Sequence, residues 1–412
     1  MMEQLVCNSA EPRLRAAPLG SHVGEFAQLL REQGYSSWGV RDRVRVVARL
    51  DRWLEHNGCA VDELSEAEIK RFLRRKGRRG AVRRGDVATL RQLLSSLRAR
   101  GVVRSLEAVL VRSEREVIED AFVQYLSQER ALQASTQHSY LRWVRRFLDA
   151  RFGRCRADWG RIEVREVTDF VRRYAETTAS RLYAKLMVTA LRSFFRFLHV
   201  QGHVTKNLAA AVPAVAGWRL SDIPRSLESD QVERLLRGCD RRTAGGRRNR
   251  ALLLLLARLG LRAGEVVRLT LEDIDWEAGV LIIRGKGARE DHLPMPRDVG
   301  QALASYLRQA RPSCTTRRVF VRMRAPLRGL ASSVAISTIV RRALERAGIE
   351  SPCKGAHLLR HSLASQMLAH HASLAEIGEI LRHRSPNTTQ IYTKVDLVAL
   401  RALALAWPGG VR

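Results

Sequence analysis

A pattern of four amphipathic segments runs through this chain twice, the two passes about one hundred residues apart. FAQLLREQ (26–33) is answered by FVQYLSQE (122–129), and RVVARLDRWLEHNG (45–58) by SYLRWVRRFLDARFG (139–153). LSEAEIKRFLRR (64–75) is answered by VREVTDFVRR (164–173), and LRQLLSSLRARGVV (90–103) by ALRSFFRFLHVQGHV (190–204). Val40, Val44, Val47, Leu50 and Leu54 recur at helical spacing with arginines between them. Such a stripe makes an amphipathic helix. Gly58 reads as a stop signal, and Ser65 with Glu68 as a capping box. The shared order of four elements predicts tandem copies of one small helical unit, at 22–105 and 115–204, after a disordered lead-in over 1–21.

The pattern breaks at TKNLAAAVPAVAGWRLSDIPRS, where Pro213, Gly217 and Pro224 mark a linker over 205–226. A third domain, 227–396, opens with a helix at Ser229. A basic loop, RRTAGGRRNR (241–250), leads to an apolar helix ending near Gly260. VLIIR and HLPMP read as short strands around a Gly285-Lys286-Gly287 turn. Helices follow over 298–310, 332–347 and through 357–406. The last 16 residues, 397–412, form a short apolar tail helix. The fold class expected is mainly α, with a small antiparallel β-sheet in an α+β third domain.

Charge narrows the function. Lys+Arg number 72 against 42 Asp+Glu, a formal net charge of +30, while 45% hydrophobic residues suffice for real cores. A folded protein with so cationic a surface points to nucleic acid. Arginine dominates, and its planar fork suits phosphate oxygens. The run RRKGRRGAVRRGD (74–86) suits backbone phosphates, or is a solvated charge run. No two of the six cysteines make a CxxC pair, so reduced thiols are expected. The start of the chain lacks a long apolar segment, and the apolar run Ala251–Ala257 is too short to span a bilayer. A soluble, cytoplasmic, nucleoid-associated protein is the expectation.

Four motifs carry chemistry, in this order: Leu259-Gly260-Leu261-Arg262-Ala263-Gly264-Glu265; Arg284-Gly285-Lys286-Gly287; His357-Leu358-Leu359-Arg360-His361; and Leu381-Arg382-His383-Arg384-Ser385 running on to Tyr392. Cationic and proton-transferring groups followed by one hydroxyl suit phosphate chemistry. The set resembles the tyrosine recombinase (phage integrase) family over residues 118–400.

The resemblance implies that Tyr392 attacks a scissile DNA phosphate, forming a 3′-phosphotyrosyl link and releasing a 5′-hydroxyl. It implies that Arg262 and Arg360 clamp the non-bridging oxygens, and that Lys286 is the general acid for the leaving oxygen. His357 and His383 would assist proton transfer, with Glu265 behind Arg262. Physical chemistry agrees with these roles. Fixed cations stabilise charge that grows in the transition state. A free phenol with a pKa of about 10 needs help to act as a nucleophile near neutrality. The covalent link conserves bond energy, so no ATP is expected; with no acidic cluster at metal-ligand spacing, and cationic and imidazole groups to do a metal's work, no metal or other cofactor is expected either. One departure is visible: the family usually has Gly where Arg382 stands, and an arginine there gives an extra phosphate contact or a different turn. His361, His370 and His371 read as surface or structural.

The implied partner is double-stranded DNA, gripped by the 115–204 unit opposite the third domain. A homo-tetramer on paired sites, with or without companion recombinases, is likewise implied. The extra unit at 22–105 binds a second DNA segment, extends the clamp, or holds a partner recombinase. The tail docks on a neighbouring protomer or on its own domain. The function expected is site-specific recombination through a Holliday junction, for integration, excision or transposition of a mobile element. Rivals are a type IB topoisomerase and a catalytically inactive DNA-binding regulator.

Overall fold

The computed structural model describes residues 18–79, 81–103, 113–153, 157–178, 181–215, 225–285, 290–383 and 385–395. The chain divides into two compact units. One is Ser105–Ser221; the other joins Met1–Arg104 with Asp222–Arg412.

Helices α1 (Gly20–Glu32), α2 (Ser37–His56), α3 (Glu66–Arg79) and α4 (Arg84–Ala99) come first. Ser36 starts α2 by accepting the Gly39 N–H at 3.2 Å, a side-chain cap on an otherwise orphaned donor. The four helices bury Phe26, Leu30, Val47, Leu50, Leu54 and Leu94 in a core of their own. The basic segment from residue 74 is not all loop, because α3 continues to Arg79. The Leu327 N–H donates to the Gln33 carbonyl at 2.8 Å, joining this bundle to the later part of its unit.

The Ser105–Ser221 unit contains α5 (Glu114–Gln128), α6 (Ala134–Phe152), α7 (Val164–Thr177), α8 (Arg181–Val200) and a single turn, α9 (Leu208–Ala211). Ser113 and Glu116 cap α5 reciprocally. Phe122, Phe147, Phe194 and Phe195 pack at its centre. The linker reading needs correction here: Leu208 and Val212 join this core, and Arg192 donates to the Val212 carbonyl at 2.8 Å. Two apolar side chains four residues apart can cover the end of a bundle, so 205–215 stays with the unit.

The third part follows the order α10 (Ser229–Arg237), α11 (Ala244–Arg258), α12 (Ala263–Arg268), β1 (Ile274–Asp275), β2 (Val280–Arg284), β3 (Glu290–Pro294), α13 (Arg297–Gln309) and α14 (Ser333–Arg346). It ends with α15 (His357–Ala369), α16 (Leu374–Ile380), α17 (Pro386–Thr389) and a 3-10 turn, Gln390–Val395. Ala251 to Ala257 are buried all round α11, as expected of a helix apolar on every face. The supposed basic loop before it is helical from Ala244. Thr243 accepts the Gly246 N–H at 3.1 Å, and Arg248 and Arg250 donate to the carbonyls of Val321 and Leu236. Long side chains with polar heads let a basic stretch enter a core helix.

The sheet is antiparallel in the order β1-β2-β3. Its second hairpin pairs Val280 with Pro294 and Arg284 with Glu290. The last strand thus starts two residues before HLPMP, because register against β2 sets its ends. Lys286 and the tail over 397–412 lie outside the described residues. Among the described residues no helix is long and apolar enough to cross a membrane.

Candidate active site

The chain leaves α11 through Leu259-Gly260-Leu261 and places Arg262 at the start of α12. Gly260 has φ +56. A Cβ there would lie 2.6 Å from Leu381 Cδ2 and 3.1 Å from Leu363 Cδ2. Both the backbone and the close approach therefore require glycine. Gly260→Ala is expected to destabilise the protein by about 2–4 kcal/mol, combining left-handed strain with overlap. Urea unfolding checks this; a loss below ~1 kcal/mol would show that the turn relaxes freely.

The same turn holds an arginine. Arg360, on the first turn of α15 and 4% exposed, donates through Nη1 to the Gly260 carbonyl and through Nη2 to the Leu381 carbonyl. Burial, then the charges of Arg262 and Arg382, lower its pKa to about 10. Arg262 donates to Glu265 at 2.9 Å and to the Arg382 carbonyl at 3.0 Å. Each guanidinium has five N–H donors. Two are engaged in each, so three per arginine remain for a ligand, on groups already fixed in orientation.

Glu265 is the acidic hinge of this arrangement. It accepts the Arg262 N–H at 2.8 Å as well as the Arg262 side chain, and Arg382 Nη2 at 2.8 Å. Burial pushes its carboxyl upward, but Arg382 and Arg262 outweigh burial and hold it below the usual range. Arg382 stands at φ +54, a left-handed position that suits glycine. Its side chain, 7% exposed, is paired with Glu265 rather than presented to solvent. The buried ion pair offsets a backbone strain of ~1–2 kcal/mol.

Ser373 and Glu376 cap α16 reciprocally, and Pro386 opens α17 at its N-terminal turn. These breaks fold the segment back, so that Tyr392, in the 3-10 turn, packs with Ala364, Ile377 and Leu381 in a small separate core. Its phenol is 1% exposed and lies 2.8 Å from His361 Nδ1. Burial pushes the Tyr392 pKa up to about 12, against the pull of Arg360. The His383 ring stacks on the Tyr392 ring at a centroid distance of 6.5 Å and an interplanar angle of 4°, and its Nδ1 meets Thr389 Oγ1 at 2.8 Å. The His357 ring lies 6.4 Å from that of His361.

The structure thus brings together Arg262, Glu265, His357, Arg360, His383 and Tyr392. The sequence reading missed His361, which it took as surface or structural. It is one turn of α15 on from His357, hence on the same face, and that spacing was the available signal. Burial, then His357 and Arg360, lower its pKa to about 4. Burial, then Arg360 and Arg262, bring His383 to about 4 as well.

Both imidazoles are neutral in the folded protein well below their unfolded pKa near 6.5. The unfolded chain binds the extra protons, so stability present above pH 6.5 falls as pH drops towards 4. The expected loss is about 1–3 kcal/mol per histidine. His361→Phe should flatten that slope in urea titrations run from pH 7 to 4. An unchanged slope would mean that His361 protonates without cost.

Among the described residues, no cluster of three or more His, Cys, Asp or Glu could hold a metal ion.

A mostly helical domain with a three-stranded sheet, closing a buried tyrosine among arginines and histidines, is the architecture of a tyrosine-type recombinase. Comparison with known proteins agrees. Residues 225–397 match the phage integrase family, and residues 120–202 match the phage integrase N-terminal SAM-like domain. Over 395 residues the chain is 44% identical to the integrase/recombinase y4rA of Sinorhizobium fredii, covering 95% of each protein. It is 34% identical over 305 residues to the tyrosine recombinase XerD of Mycobacterium tuberculosis, covering 70% of this chain and 95% of that one. The chain therefore belongs to the phage integrase family of tyrosine-type site-specific recombinases, enzymes that cleave and rejoin DNA strands.

Among solved structures, the XerH site-specific recombinase bound to palindromic difH substrate shares the fold. It has a TM-score of 0.53 and 21% identity, over 69% of this chain and 83% of that one. The Tn1549 transposon integrase in complex with a circular intermediate DNA does so at a TM-score of 0.52 and 16% identity, over 69% and 98%.

Proposed function

We propose that Tyr392 is the nucleophile of a recombinase that moves a mobile DNA element. The phenol attacks the scissile phosphate, the phosphorus–oxygen bond to the 5′-oxygen breaks, and a 3′-phosphotyrosyl link holds the strand. Arg262 and Arg360 receive the non-bridging oxygens on their remaining N–H groups. Charge builds on those oxygens in the transition state, which is where preoriented donors act. His357 and His383 assist proton transfer, and Lys286 protonates the leaving oxygen. Glu265 keeps Arg262 aligned. Rejoining reverses these steps with a second 5′-hydroxyl, on duplexes paired by a homo-tetramer.

The observation that carries this reading is the buried Tyr392 phenol, bonded to His361 and acted on by the charge of Arg360. The oxygen is buried, so its attack on a phosphate requires the segment 385–395 to move. The likeness over almost the whole chain to y4rA, an integrase/recombinase by name, supports the mobile-element role.

Covalent trapping tests the proposal. The protein is incubated with nicked duplexes tiled across the DNA flanking its gene, denatured, and resolved on a gel. The expected result is a protein–DNA band, with the modified peptide mapping to 385–395. Tight binding without a band overturns it in favour of a regulator. Relaxation of supercoiled plasmid without strand exchange between duplexes would favour a topoisomerase.

A further inference from the structure

We infer that residues 20–103 are a second copy of the helical unit at 114–204, and that a groove on this copy binds the phosphate backbone of a DNA duplex. The inference goes beyond the chemistry at Tyr392 but rests on the enzyme acting on duplex DNA.

The two segments correspond element by element. Each has four helices in the same order, with a short 3-10 turn between the second and third, at Val61–Glu63 and at Trp159–Arg161. Each second helix is followed by a glycine of positive φ, Gly58 or Gly153, and each fourth helix by another, Gly101 or Gly202.

Burial matches position for position. Phe26 and Leu30 correspond to Phe122 and Leu126; Leu64 and Ile69 to Ile162 and Val167; Leu90 and Val103 to Leu191 and Val204. All are buried. An aromatic pair recurs as well. Trp53 meets Phe72 edge-on at 6.0 Å, and at the corresponding positions Phe147 meets Phe170 edge-on at 5.2 Å. Two unrelated basic bundles would share a hydrophobic period, but not the turns, the glycines and an aromatic pairing between the same two helices.

The first copy also has a groove of its own, about 820 Å³, between α2, α3 and residues 81–86. Trp53 and Phe72, both buried, lie at its floor. Arg45, Arg49, Arg52, Arg75, Lys76 and Arg83 line it, against two carboxylates, Asp42 and Asp86. Asp86 is already paired with Lys76.

Arg45, Arg49, Arg52 and Arg75 are exposed, and none has an ion-pair partner among the described residues. The first three follow one face of α2 over about 10 Å, a distance along which one DNA strand offers about three phosphates. Arg52 and Arg75 stand where the second copy has Arg146 and Arg173, so both copies carry guanidinium groups at these positions. The 120–202 match to the SAM-like domain of phage integrases leaves the first copy outside.

A row of exposed arginines without ion-pair partners among the described residues, beside an apolar floor, fits backbone binding, which gives affinity without sequence specificity.

The test uses the full chain and a random-sequence duplex, with binding measured across a salt series. Replacing Arg45, Arg49 and Arg52 together by alanine should reduce the slope of log K against log salt by about 2.7, at ~0.9 for each phosphate that is no longer neutralised. Replacing all three by lysine should retain most of the slope. Unchanged binding in the alanine variant overturns the proposal and leaves an acidic protein partner as the occupant. Equal loss in the alanine and lysine variants also overturns it, since charge would not be the cause. Covalent trapping of the alanine variant on a nicked duplex is read in parallel. A band there with an altered slope separates this site from the chemistry at Tyr392, and absence of a band from the wild type counts against the catalytic reading alone.

Discussion

Tyr392→Phe is expected to form no covalent adduct with nicked DNA and to bind the same duplex as tightly as the wild type. The substitution removes one oxygen. In covalent enzymes, loss of the nucleophile costs on the order of 10⁴-fold or more in rate. Among the described residues no other tyrosine stands beside Tyr392 to replace it: the rings that meet it there are those of His361 and His383. Binding is spared because the phenol is 1% exposed before DNA arrives and adds nothing to the cationic surface. Folding changes little as well. The hydrogen bond to His361 Nδ1 is lost, leaving one part-buried ring nitrogen unpaired at a cost of about 1 kcal/mol. Desolvating phenylalanine costs less than desolvating a phenol, which offsets part of that. The measurements are the trapping gel and a gel shift on one preparation. A band that survives in the variant would move the nucleophile elsewhere.

The closed position of Tyr392 could not be read from sequence. The motifs place a hydroxyl nine residues after His383 but do not say whether it points outward. What turns it inward is tertiary: α16 and α17 are short, the first capped by Ser373 and Glu376 and the second opened by Pro386, with a left-handed Arg382 between them. Helices with a plain hydrophobic period were legible, as α1 to α8 show. The boundaries that depended on partners were not. The basic stretch before α11 looked like a loop because its arginines find carbonyl acceptors only once Leu236 and Val321 have been brought alongside.

Arg382 illustrates the same limit. In a chain so rich in arginine, its identity gave no clue that it would be paired with Glu265. His361 was passed over because it follows Arg360 directly in sequence. Its hydrogen bond with Tyr392 is made across 31 residues of chain. The candidate groups were legible as a set; their division of labour was not, because it lies in which donors are already engaged.

Arg360→Ala is expected to lower both stability and rate, for separable reasons. In the folded protein this guanidinium is a tie between two turns, donating to the Gly260 carbonyl after α11 and the Leu381 carbonyl after α16. Alanine leaves both acceptors buried and unpaired, at ~1–3 kcal/mol each. Against this, a charge is removed that burial and two neighbouring arginines disfavour, as its pKa of about 10 records. The first effect is the larger, since two buried carbonyls lose their donors at once. A net loss of about 2–4 kcal/mol follows.

The rate effect comes from the three donors left free for phosphate, and removing such a preoriented group costs on the order of 10²–10³-fold in cleavage. Arg360→Lys separates the two. An ammonium retains the charge but cannot span two carbonyls and also present a planar edge. Lysine should therefore recover part of the stability and little of the rate. Urea unfolding together with single-turnover cleavage, both at 25 °C, reads the two quantities. If lysine restored cleavage to within about threefold of wild type, charge alone would suffice, and the fork held between Gly260 and Leu381 would be a structural tie with no part in the chemistry.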